Sequence, residues 1–484
     1  MTQKIKQLES VARQLEPSQS ERHHLLTNVT AYAESFIQNL GEAPAFVTGT
    51  DNGLSLLDSP IEENGISIEA ALTLLKENVD CPNLSPGSPR MFGYIPGGPL
   101  YPSALGDYLA AISNRFAGIF YASPGAVRME NMLLRWTADL MGYPETAAGN
   151  LTSGGSIAHL IAIVTAREAM RVKPANIERT VVYTTHFVHH AVTKALKIAG
   201  LETAVQHTIP VDDQYRLDAN ALEQAILADK QAGLIPWLVI ASAGTTHTGA
   251  VDPLAQIGRL TKAHDIWFHV DGAYGAAFML CEEGRSRLAG IELSDSMIID
   301  PHKGFFMPWG TGIVLVKDRR HLYEAHHDSA SYMQDALDLI EELSPADLSP
   351  ELSKHFRGVR MWLHLKLFGV APFRAALAEK IELARYFYEK LKELDGFEVG
   401  PYPDLSVVTY RYLPKQGDVD DFNRQLLEAI LEDGRIFISS TQLDGNFVLR
   451  LVVLNFQTHL EEVDLALEIL QEQAQKLCSE SSVA

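Results

Sequence analysis

One feature limits the possible folds of this chain more than any other: the alternation between about residues 150 and 317. Short apolar runs, Thr180–Thr184, Trp237–Ser242, Ile266–Val270, Ser296–Ile299 and Gly312–Val316, are separated by stretches of helical spacing at about 156–172, 189–199, 218–230, 252–264 and 284–291. Unbroken apolar runs of that length suit strands covered on both faces. Strands that alternate with helices lie side by side in a largely parallel sheet. The pattern predicts an α/β layer with helices on both faces.

The flanks read differently. Ile5, Leu8, Ala12 and Leu15 recur at helical spacing, as do Leu25, Val29, Ala33, Phe36 and Leu40, with Pro17 between the two sets. Residues 81–102 hold six prolines and four glycines, which excludes regular structure there. Met91, Phe92, Tyr94 and Ile95 within that stretch predict an ordered, packed loop. Two helices are expected over 103–142, broken at Ser123-Pro124-Gly125, and a helical stretch over 355–396. Strands and helices alternate again over 397–470. The expected organisation is an N-terminal helical segment and Pro/Gly-rich loop (1–100), a large α/β domain (101–365) and a smaller C-terminal α+β domain (366–484).

Composition narrows the partners. The 484 residues are 46% hydrophobic, enough to bury a large core, and carry a net charge of −21. Such a field repels polyanions, so neither nucleic acid nor an anionic membrane is expected. The longest apolar run, Leu234 to Ala243, falls far short of the roughly 20 residues of a membrane span. Met1-Thr2-Gln3-Lys4 leads into a charged helical stretch rather than a secretion signal. Cys81, Cys281 and Cys478 are odd in number and far apart, which fits a reducing cytoplasm.

Three constellations carry chemistry. Leu151-Thr152-Ser153-Gly154-Gly155-Ser156 precedes a helix, so small residues and free backbone N–H groups could cradle a phosphate; an ordinary loop with Ser156 as N-cap reads the same way. Asp271, in His269-Val270-Asp271-Gly272-Ala273-Tyr274-Gly275, ends a very apolar strand, where a carboxylate either caps the next element or pairs with a cation. Lys303, in Asp300-Pro301-His302-Lys303-Gly304, follows a buried type of strand; a lysine there must pair or become nucleophilic. Together the three supply an anion site, a partner for a protonated ring nitrogen and an amine, which is what pyridoxal phosphate requires. His186, His189 and His190 give only a partial ligand set with no cysteine cluster nearby, so no metal is expected.

At these residues the chain resembles the group II pyridoxal-phosphate-dependent amino-acid decarboxylases, the family of aromatic-amino-acid, glutamate and tyrosine decarboxylases. Phe92-Gly93-Tyr94-Ile95-Pro96, Ala122-Ser123-Pro124 and Arg360-Met361-Trp362 look like further landmarks of the family. The resemblance implies a fold type I enzyme, a homodimer, and α-decarboxylation of an L-amino acid to an amine. It implies Lys303 as the Schiff-base lysine and Asp271 as the partner of the pyridine nitrogen. It places Gly154, Gly155, Ser156 and His302 around the phosphate, His189 on the cofactor ring and Thr246 beside it. Tyr332, on the acidic stretch 322–354, looks like the loop tyrosine that returns a proton to Cα. Tyr94, Ile95, Phe116 and Phe120 would line a largely apolar substrate pocket, which favours an aromatic or apolar amino acid. Gly97 stands where catechol-specific relatives carry a hydroxyl side chain. His159 replaces the Asn of many relatives and is expected to alter packing near the phosphate. Two other readings compete: an oxidative aldehyde synthase, in which the loop tyrosine is usually phenylalanine, and a non-catalytic pyridoxal-phosphate-binding dimer.

Overall fold

The computed structural model describes residues 1–48, 53–81, 83–328 and 342–481. They form two compact units, Met1–Met91 with Ala429–Phe437, and Phe92–Glu428 with Ile438–Ala484.

The larger unit is built on a seven-stranded sheet. Its strands in chain order are β1 (Ala148–Thr152), β2 (Thr180–Thr184), β3 (Val205–Thr208), β4 (Ile235–Ser242), β5 (Trp267–Asp271), β6 (Ser296–Ile299) and β7 (Gly312–Val316). Across the sheet the order is β1-β7-β6-β5-β4-β2-β3. Only β7 runs against the rest, pairing antiparallel with both β1 and β6. The largely parallel layer read from the sequence is therefore present, with edge strands β1 and β3 added where no apolar run announced them.

Side-chain alternation explains why both faces are covered. Val181, Tyr183, Val239, Phe268, Val270, Met297 and Ile299 feed one buried cluster, with Leu133 and Leu134, Ile226, Ile257 and Leu377 from helices of that face. Val182, Leu238, Ile240, Trp267, Ile298 and Val314 feed the other, against Ile161 and Ala162 of the helix Gly155–Ala169 and Leu196 of His190–Ile198. Successive residues of a strand point to opposite faces, so each central strand contributes to both clusters. Burying one such side chain is worth about 1.5–3 kcal/mol, and the two clusters together hold the sheet between its helices.

The same unit carries a second, antiparallel sheet of four strands, β8 (Phe397–Val399), β9 (Val407–Tyr412), β10 (Ser439–Leu443) and β11 (Asn446–Val452), in the order β8-β9-β11-β10. The Pro/Gly-rich loop is ordered as expected. Phe92 and Ile95 are buried, Val452 N–H donates to the Phe92 carbonyl, and Arg450 donates to that of Tyr94 at 2.7 Å.

In the smaller unit the helices Thr2–Ala12 and Gln19–Asn39 flank Pro17. Ser18 starts the second with a capping box, its hydroxyl accepting from Glu21 N–H while the Glu21 carboxylate accepts from Ser18 N–H. Neither helix buries a residue; Leu8, Leu25, Val29 and Phe36 of the expected apolar stripes are exposed. Among the described residues no helix is long and apolar enough to cross a membrane.

Candidate active site

Parallel strands deliver the residues that follow them to one edge of a sheet, the usual place for a ligand crevice. Here Gly154 and Gly155 follow β1, His189 lies in the loop after β2, Thr246 follows β4, Asp271 ends β5, and His302 and Lys303 follow β6. All of them, with Ser156, line one cavity of about 290 Å³, near the lower limit for small-molecule sites. Residues separated by some 150 positions in the sequence thus face the same space.

One end of the cavity suits an anion. Gly154 has φ +148°, in a region open essentially to glycine alone. A Cβ on Gly155 would stand 3.1 Å from Asp300 Oδ2. No side chain caps the helix Gly155–Ala169, so its first N–H groups are free to meet an anion, favoured further by the helix dipole. His302 Nδ1 is fixed by the Thr311 carbonyl at 2.7 Å, and burial holds its imidazole below its ordinary pKa, hence neutral and able to hydrogen bond.

The other groups suit a heteroaromatic aldehyde. The Lys303 ammonium lies 3.1 Å from Asp300 Oδ2, while Asp300 Oδ1 is buried without a hydrogen-bond partner. Asp271 Oδ2 lies 3.3 Å from His159 Nε2, and its Oδ1 accepts from Ala273 N–H at 3.1 Å. Burial pushes the Asp271 carboxyl up, but His159, Lys303 and the Ala273 N–H together outweigh it and hold the group well below the usual carboxylate range. Asp271 is therefore a fixed negative charge. His189 starts the helix His190–Ile198 and accepts from Ala191 N–H through Nδ1 at 3.2 Å. Its burial lowers its pKa, so the ring is neutral and can lie flat on an aromatic surface. The donor set, the glycine cradle and the orphaned Asp300 oxygen fit pyridoxal phosphate.

The comparisons with known proteins agree with this chemistry. Residues 61–413 match the pyridoxal-dependent decarboxylase conserved domain. The chain belongs to the pyridoxal-dependent decarboxylase family. It is 34% identical to an aromatic-L-amino-acid decarboxylase of Bacillus atrophaeus, over 84% of this chain and 85% of that one. It is 30% identical to a phenylacetaldehyde synthase of Arabidopsis thaliana, over 81% of this chain and 82% of that one. The crystal structure of Oryza sativa TDC with PLP and tryptamine superposes with a TM-score of 0.90 at 26% identity, covering 95% of this chain and 99% of that one. The family fixes the fold as type I, the cofactor as pyridoxal phosphate and the reaction as decarboxylation of an amino acid.

Not every expected residue faces the cavity. Tyr94 is 60% exposed with φ +52°, while Ile95 and Phe120 are buried elsewhere in the unit; neither they nor Phe116 lines this space within one chain. Tyr332 lies outside the described residues. Gly97 is no reporter of substrate: a Cβ there would stand 1.8 Å from the Lys303 carbonyl oxygen, so backbone packing alone demands glycine. His159, expected to alter packing near the phosphate, lines the cavity with its Nε2 3.3 Å from Asp271 Oδ2. Sequence reasoning missed Phe187, Ile157 and Tyr274, which line the cavity, and the carboxylate of Asp300. Phe187 could have been found as the only aromatic in the loop that carries His189.

Proposed function

We propose that this enzyme removes the α-carboxylate of an aromatic or similarly apolar L-amino acid, with Lys303 as cofactor anchor and Asp271 as the charge that keeps the ring nitrogen protonated. One observation carries the reading: the Lys303 amine and the Asp271 carboxylate line the same small cavity, with a glycine cradle at its anion end. Bound pyridoxal phosphate supplies an aldehyde that captures amines and a ring that takes up the electrons left when carbon dioxide departs. Gly154, Gly155, Ser156 and His302 hold the phosphate end, Thr246 the flank, and His189 covers the ring face and limits water. Tyr332 returns the proton to Cα, a role assigned by resemblance. Phe187, Ile157 and Tyr274 add ring and aliphatic carbon to the lining, and the relatives named for aromatic substrates support the same class.

Tyr94, Ile95, Phe116 and Phe120 belong to the substrate pocket in this reading, completed across a homodimer. The exposed apolar stripe Leu25, Val29 and Phe36 and the exposed Leu105, Tyr108, Leu109 and Ile112 on the helix Tyr101–Ser113 support a partner copy. The division 1–100, 101–365, 366–484 then separates dimer arm, cofactor layer and closing domain. The free cysteines Cys81, Cys281 and Cys478 support a cytoplasmic location.

Carbon dioxide release from the purified protein, across the standard amino acids plus ornithine and 2,4-diaminobutyrate, tests the substrate class. Release confined to phenylalanine, tyrosine, tryptophan and the larger aliphatic amino acids is expected; preference for glutamate or aspartate overturns it. The phenylacetaldehyde synthase relative favours a second reading, and peroxide and ammonia measured beside carbon dioxide decide between the two. Light scattering that finds an active monomer overturns the dimer.

A further inference from the structure

Beside Asp271, a line of buried polar side chains begins with His159 in the cavity lining and crosses an otherwise apolar layer. Trp267, His269 and Asp271 share one face of β5 because side chains alternate along a strand. That face meets the helix Gly155–Ala169, which carries His159. Ser296 sits beside His269 in the register of β5 with β6. Trp267, Ser296, His269, His159 and Asp271 are all at most 8% exposed. Polar groups so deep must be partnered, and these are partnered with one another.

The contacts run in sequence. Trp267 Nε1 is 2.9 Å from Ser296 Oγ, Ser296 Oγ is 2.9 Å from His269 Nδ1, His269 Nε2 is 3.1 Å from His159 Nδ1, and His159 Nε2 is 3.3 Å from Asp271 Oδ2. With one proton on each imidazole, the carboxylate end sets the direction. An indole N–H can only donate, and an ionised carboxylate can only accept. Ser296 therefore accepts from Trp267 and gives its own proton to His269 Nδ1. His269 donates through Nε2 to His159 Nδ1, and His159 donates through Nε2 to Asp271. In this arrangement each imidazole carries a single proton, on Nε2. The opposite tautomer of His269 would force a second proton onto His159 inside the apolar layer. Burial keeps His269 neutral, lowering its pKa to about 3.

We propose that His159 is a positioning residue, the last member of a one-way hydrogen-bond line that fixes the Asp271 carboxylate and thereby sets how firmly the cofactor's ring nitrogen keeps its proton. The inference rests on Asp271 being the ring-nitrogen partner. Aligned hydrogen bonds polarise one another, so a break at either end weakens the whole.

Two measurements on the full chain test it. Imidazole ¹⁵N spectra of the cofactor-free protein should show His159 and His269 protonated on Nε2 alone; an imidazolium at His159 overturns the proposed direction. The second uses pyridoxal phosphate labelled with ¹⁵N in the ring, bound to wild type, H159L, H159N, S296A and D271N. H159L should move the ring signal toward the unprotonated position and weaken cofactor affinity by about tenfold, the lower end of the range for partners one step removed from a metal site. H159N keeps an amide donor and should restore most of both, and S296A should shift the signal in the same direction by less. D271N separates the two failures. If D271N moves the signal and H159L does not, the line has no role. If D271N moves nothing, the assignment of Asp271 falls and takes this inference with it. Should H159L fail to fold, S296A carries the test, and a wild-type ring signal in S296A overturns the proposal.

Discussion

Two carboxylates stand at neighbouring strand ends and are held in opposite ways. Asp271, ending β5, has both oxygens engaged by groups of the scaffold, His159 and the Ala273 N–H. Asp300, following β6, has one oxygen against Lys303 at 3.1 Å and His302 at 3.7 Å, and the other without a partner. The first is a permanent charge, because nothing that holds it need change during turnover. The second is paired with the amine proposed as the cofactor anchor, and that nitrogen cannot be both a free ammonium and a covalent anchor. Under that proposal Asp300 is an exchangeable partner, and the difference separates the carboxylate proposed to tune the cofactor from one that would give up its neighbour to it.

Lys303→Ala gives the largest expected effect: turnover falls below detection, and borohydride no longer fixes cofactor to the peptide containing position 303. Label retained on another residue would break the comparison at its root, since Asp300 would then have no exchangeable neighbour. Asp271→Asn comes next, with a loss on the order of 10²–10³-fold in kcat, the scale of removing one preorganised electrostatic partner. The lowered carboxyl pKa also has a pH consequence. A depressed carboxylate stabilises the fold above its unfolded pKa and ceases to only as pH falls through the folded value. Between pH 5 and 8 Asp271 therefore stays ionised, and cofactor affinity should show no step there that D271N abolishes. Asp300→Asn is expected to cost tenfold or less in kcat, since the amide keeps the shape and one acceptor for Lys303. Equal losses in D271N and D300N, measured by steady-state kinetics at one pH, would erase the distinction.

Much of this was legible in the sequence. Thr180–Thr184, Ser296–Ile299 and Gly312–Val316 emerge as strands with the boundaries read from their apolar runs, because strands covered on both faces are continuous in hydrophobicity. β1 and β3 were not legible: Ala148-Gly149-Asn150 and Val205-Gln206-His207 have no apolar run, and both are edge strands with one neighbour. In the site, residues marked by local chemistry were readable, including Lys303, Asp271 and the glycine pair. What depends on a second element was not. His159 reads as a change of packing near the phosphate until β5 brings Asp271 to 3.3 Å, and Gly97 looks like a specificity position until the Lys303 carbonyl is found against it.

The smallest expected effect concerns stability, and it sharpens the contrast between a buried imidazole with a line of partners and one without. His364, on the helix Gly358–Phe368, is fully buried beside Phe373, and no side chain partners either of its nitrogens, which meet only the Arg360 backbone one turn back. Burial lowers its pKa from 6.5 to about 4. A histidine so depressed binds its proton more readily in the unfolded chain, so between pH 6.5 and 4 the fold loses stability as pH falls. The deficit at pH 5 is about 2 kcal/mol, and it vanishes by pH 8. His364→Leu removes that titration and the nitrogens without a side-chain partner at similar volume. Thermal midpoints at one scan rate should therefore rise at both pH values and rise more at pH 5. The same gain at both would mean that the imidazole titrates freely in the fold, and the distinction between connected and isolated buried histidines would not survive it.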